Sequence, residues 1–174
     1  MEENKEILEN ESNVRNENNE IIKYDEKQAN ELLKINQMTE KGTKIDIETT
    51  LTDELDIFNA SEDCDYKLND CKGQEIVVTN CLIKRIEKDL PENEIEIDEE
   101  TGQIIKDKDI QLLTILIDEN NETYVTASKI FGFKFLRFVQ TIGVDRLNEG
   151  VRIKITERDV KDSPNKALSF KVIK

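Results

Sequence analysis

Residues 110–143, IQLLTILIDENNETYVTASKIFGFKFLRFVQTIG, carry the clearest pattern of successive structural elements in the chain. The continuous apolar run at 110–117 is typical of a strand that is covered on both faces. The DENNE turn then leads into TYVTASK, which predicts a second, shorter strand. Ser128 is suited to cap a helix that begins at Lys129, and Gly143 is suited to end it. These residues therefore predict a strand, a turn, a strand and a helix in direct succession.

The predicted helix has one aromatic face and no acid. Phe131, Phe135 and Phe138 fall within a narrow arc at helical spacing, so we expect them to plug the core of the domain. Phe133 falls outside that arc and is available for another role. The segment 123–143 holds four of the six phenylalanines and contains no acid, although the chain carries 39 acidic residues against 25 Lys and Arg.

Further β-branched runs flank this stretch. Residues 75–89, EIVVTNCLIKRIEKD, predict a long strand, and residues 92–109 predict an acidic hairpin around Gly102. VRIKITER at 151–158 alternates cleanly after a VDRLNEG loop, and ALSFKVI at 167–173 follows it. The order of strand, strand, strand, helix, strand, strand predicts a mainly β domain, a five-stranded OB-like Greek-key barrel with one helix between strands 3 and 4.

Charge divides the chain into two parts. Residues 1–65 contain 19 acids and 7 cations, whereas the residues from Tyr124 onward contain 11 cations and 5 acids. We therefore expect an acidic N-terminal tail at 1–65, partly helical or disordered, before an OB-like barrel domain at 66–174. Near-helical spacing of apolar residues predicts a short amphipathic helix at about 24–41, and Thr52 is a candidate cap for a second short apolar cluster.

Composition argues against an enzyme and against a metal protein. The chain has no histidine, which removes the usual nucleophilic triads, and its six glycines form no phosphate-binding loop. Cys64, Cys71 and Cys81 are spaced unlike a zinc or redox motif, so we expect reduced thiols, no metal and no cofactor. The sequence has no run of 18 apolar residues and no secretory leader, which predicts a cytoplasmic protein with no membrane partner.

Residues 66–174 resemble a known family in the succession of their elements. The long run at 75–89, the two strands and turn followed directly by the Phe-rich helix, and the closing strand pair are similar to OB-type single-stranded DNA-binding proteins of phages and plasmids from low-GC Gram-positive bacteria. The resemblance implies a protein that coats single strands during DNA replication or recombination in the cytoplasm of a bacterial host. Two features depart from bacterial single-strand binders: the acids are N-terminal, and no tryptophan is present for stacking.

The candidate DNA-binding residues are cations and aromatics, because a single strand offers a ladder of phosphates and unpaired base faces. The resemblance puts the groove across strands 2 and 3, between the loops that join strands 1 to 2 and 4 to 5. The acids of the 89–105 hairpin would repel phosphate there. The candidate phosphate contacts are Lys84, Arg85, Lys129, Arg152, Lys154, Arg158, Lys161 and Lys166, and the candidate stacking residues are Tyr124, Phe133 and Phe170.

Other interpretations fit parts of the same sequence. The cations at 151–158 also suit a solvated face of an amphipathic strand, and Phe170 also suits a core. The acid excess fits a protein-interaction module, or a nucleic-acid mimic that binds a basic protein partner. The partners expected from the sequence are single-stranded DNA, with RNA left open, and replication or recombination proteins bound through the acidic N-terminal segment. The sequence is also compatible with a homo-oligomer.

Overall fold

The computed structural model describes residues 13–15, 21–24, 30–161 and 163–174, and in these residues the protein is mainly β. Ten of its strands form one large sheet, and two form a separate small hairpin. No helix within these ranges is both long and apolar enough to cross a membrane. The strands are β1 (Asn13–Arg15), β2 (Ile21–Tyr24), β3 (Leu33–Met38), β4 (Lys44–Thr49), β5 (Tyr66–Lys67), β6 (Glu75–Asp89), β7 (Glu96–Ile97), β8 (Ile104–Lys106), β9 (Lys108–Asp118), β10 (Thr123–Thr126), β11 (Val151–Asp159) and β12 (Lys166–Val172), and the α-helices are α1 (Glu54–Glu62), α2 (Lys129–Ile142) and α3 (Val144–Asn148).

Strand β6 is the longest strand and organises the large sheet. One edge of β6 pairs antiparallel with β9 from Val78 to Asp89, with a register shift between Val78 and Asn80. The other edge is shared, because β11 pairs with the start of β6 and β4 pairs with residues 82–87. Next to these neighbours, β10 pairs with β9 and β12 pairs with β11. The predicted strand at 75–89 is confirmed at both ends.

The sheet separates two apolar cores, because successive residues of β6 and β9 point to opposite faces. Leu116 belongs to the larger core, which lies between the sheet and α2. Ile115 and Leu82 belong to the smaller core on the other face, to which α1 contributes Ile57. The prediction that the run at 110–117 is covered on both sides is therefore confirmed.

Helix α2 fills the larger core. Ser128 Oγ accepts a hydrogen bond from the backbone N–H of Phe131 at 3.3 Å, and the helix ends where Gly143 adopts a φ of 83°, which favours glycine. Phe131 and Phe135 are fully buried, with ring centroids 6.0 Å apart. The two caps and the aromatic plug predicted for this helix are confirmed.

The prediction of a closed barrel is wrong. Closure would need a ladder between β10 and β12, and these two described strands form none. The outer edge of β10 pairs instead with β5, in parallel, and α2 packs against β12. From that side, the Nζ of Lys134 donates a hydrogen bond to the backbone carbonyl of Phe170. The sheet is therefore open between β10 and β12.

The predicted amphipathic helix at about 24–41 is also wrong. Residues Leu33–Met38 form β3, and the chain turns back through Gly42 into β4. Ile35 lies opposite Ile47 across this hairpin, and both are buried in the smaller core. The segment forms strands and not a helix because β4 pairs with the free edge of β6, and β3 pairs with β4 in turn. The sheet therefore includes residues that the predicted division assigned to the acidic tail.

Before residue 30 the structure describes only the backbones of β1 and β2. These two strands pair with each other, and β2 continues the sheet beyond β3. Within the segment 1–65, which was predicted to be a partly helical or disordered tail that binds replication or recombination proteins, residues 1–12, 16–20 and 25–29 lie outside the described residues.

Two local predictions differ from the structure. Asp53, and not Thr52, caps α1, because its carboxylate accepts hydrogen bonds from the backbone N–H groups of Leu55 and Asp56 at 2.9 and 3.2 Å. The VDRLNEG segment contains α3, a short helix whose apolar residues enter the larger core, where the sequence predicted only a loop.

Gly132 lies where α2 approaches the sheet most closely. A Cβ at this position would lie 2.5 Å from Cδ2 of Leu112 and 2.6 Å from Oγ1 of Thr114. Alanine gains roughly 1 kcal/mol in helix propensity over glycine, but the steric clash costs more than this gain. We therefore expect Gly132→Ala to lower the free energy of unfolding by about 1–3 kcal/mol net. Chemical denaturation measures this difference, and a variant as stable as the wild type would contradict the close contact.

Candidate nucleic-acid interface

The strand pair β11–β12 carries cations on its outer face. Ile153 and Ile155 are buried in the larger core, so the residues between and beyond them point away from it. Lys154 lies directly opposite Lys171 of β12, and Arg158 lies on the same face further along β11. We define the cationic face as Lys134, Arg152, Lys154, Arg158 and Lys171.

The opposed pair Lys154 and Lys171 is unfavourable in the free protein, because like charges directly across a ladder destabilise a sheet. On its other side Lys154 lies in register with Glu75 of β6. The Oε2 of Glu75 is 3.7 Å from the Nη1 of Arg152, so this carboxylate is loosely paired with Arg152. An anion between the two lysines would remove the repulsion, which suits this face to phosphate.

Lys134 joins the cationic face from α2. Its Nζ donates a hydrogen bond to Ser169 Oγ at 2.8 Å and lies 4.4 Å from the ring centroid of Phe170. Partial burial lowers the pKa of Lys134, and the positive charges of Arg158 and Lys171 lower it further. Lys134 of α2, Arg158 of β11 and Lys171 of β12 therefore lie close enough to repel one another. A bound anion would oppose the lowering of the pKa of Lys134.

The exposed side of α2 carries an aromatic ring between two cations. Phe133 is 53% exposed, whereas the other three phenylalanines of α2 are buried or half-buried. Lys129 and Arg137 lie one turn before and one turn after it, and both are exposed. No acid occurs in α2. A flat apolar side chain among cations is the arrangement that base stacking beside a phosphate contact requires.

Three of the eleven predicted residues belong to the cationic face, and another two lie on the exposed side of α2. Two more, Lys161 and Lys166, lie at the turn end of the β11–β12 pair, where Lys166 is opposite Asp159. Sequence reasoning missed Lys134, Arg137 and Lys171. The strand alternation around Lys171 was a usable signal for it, whereas the contact of Lys134 with β12 was not readable from sequence. The three on the cationic face are Arg152, Lys154 and Arg158, and the two on α2 are Lys129 and Phe133.

Lys84 and Arg85 do not belong to the cationic face. They lie on β6 beyond the end of its ladder with β11, and as successive strand residues they point to opposite faces. Arg85 Nη2 is 3.2 Å from Glu87 Oε2, and Lys108 also binds Glu87. The hydrogen bond from Lys108 is the main reason that the pKa of Glu87 lies below its usual value. Arg85 is therefore engaged by a neighbouring acid.

The two aromatic residues predicted on strands offer no free stacking face. Tyr124 is buried against Tyr66, with ring centroids 5.1 Å apart, and its hydroxyl lies 3.3 Å from Asp118 and 3.2 Å from Glu122. Burial and these two carboxylates raise the pKa of Tyr124. The negative charges of the carboxylates would also repel phosphate. Phe170 is 3% exposed and packs against the rings of α2. Its side chain therefore belongs to the core.

The groove that the resemblance put across strands 2 and 3 is covered. These strands are β9 and β10, and their outer faces contribute Leu113, Ile115 and Val125 to the smaller core. Helix α1 packs over that core with Ile57 and has acids in its first turn. The cations of the cationic face lie on β11, β12 and α2, away from the expected groove.

A cleft of about 490 Å³ adjoins one end of the cationic face. It lies between the last turns of α2, the start of α3 and the strand pair β11–β12. Its lining combines an apolar floor with cations at the rim. The floor includes Phe138, Ile142, Val151 and Val172, and the rim carries Arg146, Arg152 and Lys174.

Comparisons of this chain with protein-family models, with curated proteins and with solved structures found no match.

Proposed function

We propose that the protein binds single-stranded DNA without sequence preference, through the cationic face and Phe133. The observation that carries this proposal is the cross-strand pair Lys154 and Lys171, with Lys134 and Arg158 beside it, on a chain of net charge −14. Clustered cations repel one another unless an anion binds between them. A single strand supplies phosphates at regular intervals, and its bases can stack on an exposed aromatic ring.

The pairing order supports a relation to OB-type binders. Strands β11, β6, β9 and β10 are neighbours in the order 4-1-2-3 of a Greek key, with α2 in the long connection from third to fourth. The OB fold is a partly open Greek-key barrel of five strands, and β12 corresponds to the fifth. We therefore propose an OB-like domain that is open between its third and fifth strands. The resemblance gives this domain a role in phage or plasmid DNA replication or recombination.

Fluorescence anisotropy of a labelled oligo-dT at several salt concentrations tests this function. The logarithm of the association constant is expected to fall linearly with the logarithm of the salt concentration, with a slope of about −3 if four cations contact phosphates. A mixed-sequence single strand should bind with similar affinity, and a duplex should bind more weakly. RNA of the same sequence decides between the two nucleic acids. An oligo-dT that stays unbound at low salt would contradict the proposal.

The second candidate is a module that binds a basic protein partner through its acids. The observation that favours it is the β7–β8 hairpin, where acids surround exposed isoleucines. This candidate predicts that oligo-dT stays unbound at every salt concentration, while polylysine binds and loses affinity when the acids of the hairpin are neutralised.

Phe133→Ala is expected to weaken oligo-dT binding about 10-fold, because a stacked base is worth about 1–3 kcal/mol. The salt slope should not change, since the ring contacts a base and no phosphate. Phe133→Trp should retain binding and add a fluorophore, quenched on stacking, to a chain without tryptophan. Phe58→Ala is the matched control, because Phe58 is equally exposed but lies on α1. Undiminished binding by Phe133→Ala would remove the stacking role.

A further inference from the structure

The β7–β8 hairpin exposes an apolar pair within a ring of acids. Its two strands pair only with each other among the described residues, beyond the far end of the β6–β9 ladder. Ile97 is 54% exposed and Ile104 is 61% exposed, and they are directly opposite each other. The segment 89–107 around them contains eight acids and a single lysine. A surface of this kind fits a partner with an apolar floor and a cationic rim.

The cleft beside the cationic face has these two properties. Its floor includes Val172, an apolar residue that is 47% exposed, and Lys174 lies at its rim. The other two cations of the rim have acidic neighbours: Arg146 is 2.6 Å from Glu149, and Arg152 binds Glu75 more loosely. Exposed ion pairs of this kind contribute little, so both arginines can exchange these carboxylates for those of a docking hairpin.

The hairpin cannot reach the cleft of its own chain. Val78 of β6 pairs with Val151 beside the cleft, and Asp89 of β6 pairs with Lys108 at the base of the hairpin. The part of β6 between these two positions spans roughly 35 Å at the rise of a strand. The two surfaces therefore lie at opposite ends of the molecule, and a contact between them joins two copies.

We propose that the β7–β8 hairpin of one copy docks in the cleft of a second copy. Ile97 and Ile104 pack on the apolar floor, and the acids of the hairpin approach Arg146 and Lys174. The contact joins two different surfaces, so copies associate head to tail, in an open chain or in a ring of three or more copies. It needs no nucleic acid and goes beyond the proposed DNA-binding function.

Sedimentation velocity of the full chain, without nucleic acid, tests the contact. The weight-average sedimentation coefficient is expected to rise steadily with protein concentration and to fall when salt is added, because the rim contacts are ionic. A coefficient that stays at the monomer value at all concentrations would overturn the proposal. So would a closed dimer that does not grow further.

Two sets of reversed charges identify the surfaces. The first set changes five exposed acids to lysine and takes the net charge of residues 89–107 from −7 to +3: Glu92→Lys, Glu94→Lys, Glu96→Lys, Glu99→Lys and Glu100→Lys. The second set, Arg146→Glu with Lys174→Glu, makes the rim of the cleft negative. Each set alone is expected to weaken self-association roughly tenfold or more. An equimolar mixture should restore it, because each altered surface then meets one of opposite charge. Unchanged association of either set alone, or no recovery in the mixture, would overturn the proposal.

The apolar half of the contact has its own variant. Ile97→Ser with Ile104→Ser keeps every charge and is expected to weaken self-association roughly tenfold, since it removes the apolar area that docking buries. Association equal to that of the wild type would overturn the assignment of these isoleucines. Circular dichroism checks the fold of all three variants. Lys154 and Lys171 are intact in each of them, so a failure here leaves the DNA-binding proposal standing.

Discussion

Reversal of both cross-strand lysines, Lys154→Glu with Lys171→Glu, is expected to weaken oligo-dT binding at low salt about 100-fold. The double variant removes two phosphate contacts and puts two carboxylates in their place, so the salt slope should also become shallower by about 1.4. Both lysines are exposed, and we expect the fold to be unaffected. Anisotropy titrations with oligo-dT over a range of salt concentrations measure the affinity and the slope together.

The matched control is Lys34→Glu with Lys41→Glu. These two lysines are also exposed, but they belong to β3 and to the turn that follows it. The control changes the net charge by the same amount and leaves the cationic face intact, so we expect a small loss of affinity and an unchanged slope. Equal losses in the two double variants would mean that net charge governs binding, which contradicts a localised site.

Phe135→Ala is expected to have the largest effect on stability, a loss of about 3–5 kcal/mol. Phe135 is fully buried, and its ring centroid lies 5.5 Å from that of Phe170. Removal of the ring leaves a cavity between α2 and β12, at the place where the sheet is open. For a chain of this size the loss corresponds to a melting temperature lower by roughly 10 °C, which differential scanning calorimetry measures.

Phe133→Ala is the internal control, because Phe133 lies on the same helix but is exposed. We expect it to change the free energy of unfolding by less than about 0.5 kcal/mol. If both alanine variants lost the same small amount of stability, Phe135 would not be the core residue that the packing of α2 requires.

The strands and the long helix after residue 74 were predictable because each depends on a local pattern, whereas α3 was not predicted. The strand at 75–89 is marked by its β-branched run, and the helix at 129–142 by Ser128, Gly143 and the spacing of its phenylalanines. In each case the intrinsic preference of the residues agrees with the environment that the fold provides.

The absence of a ladder between β10 and β12 and the β3–β4 hairpin were not predictable from local patterns. Residues 33–49 have an apolar spacing that suits a helix as well as a strand, and pairing of β4 with β6 decides between the two. Similarly, nothing local to β10 indicates that its outer edge pairs with Tyr66 and Lys67. Both outcomes depend on contacts between distant parts of the chain.

The candidate site was predictable only in part, for the same reason. Strand alternation indicates that Lys154 points outwards, but the opposition of Lys171 depends on the register of β11 and β12. The burial of Tyr124 against Tyr66 also depends on distant contacts, so a residue predicted to stack on bases instead lies among carboxylates.

The central claim, that single-stranded DNA lies on the cationic face, is tested most directly by an NMR titration of the ¹⁵N-labelled full chain with oligo-dT. We predict that the largest amide shifts occur in α2 around Phe133 and in β11 and β12 around Lys154 and Lys171. Shifts concentrated on the outer face of β9 and β10, or on the acidic hairpin, would contradict the claim, and so would a spectrum that oligo-dT leaves unchanged.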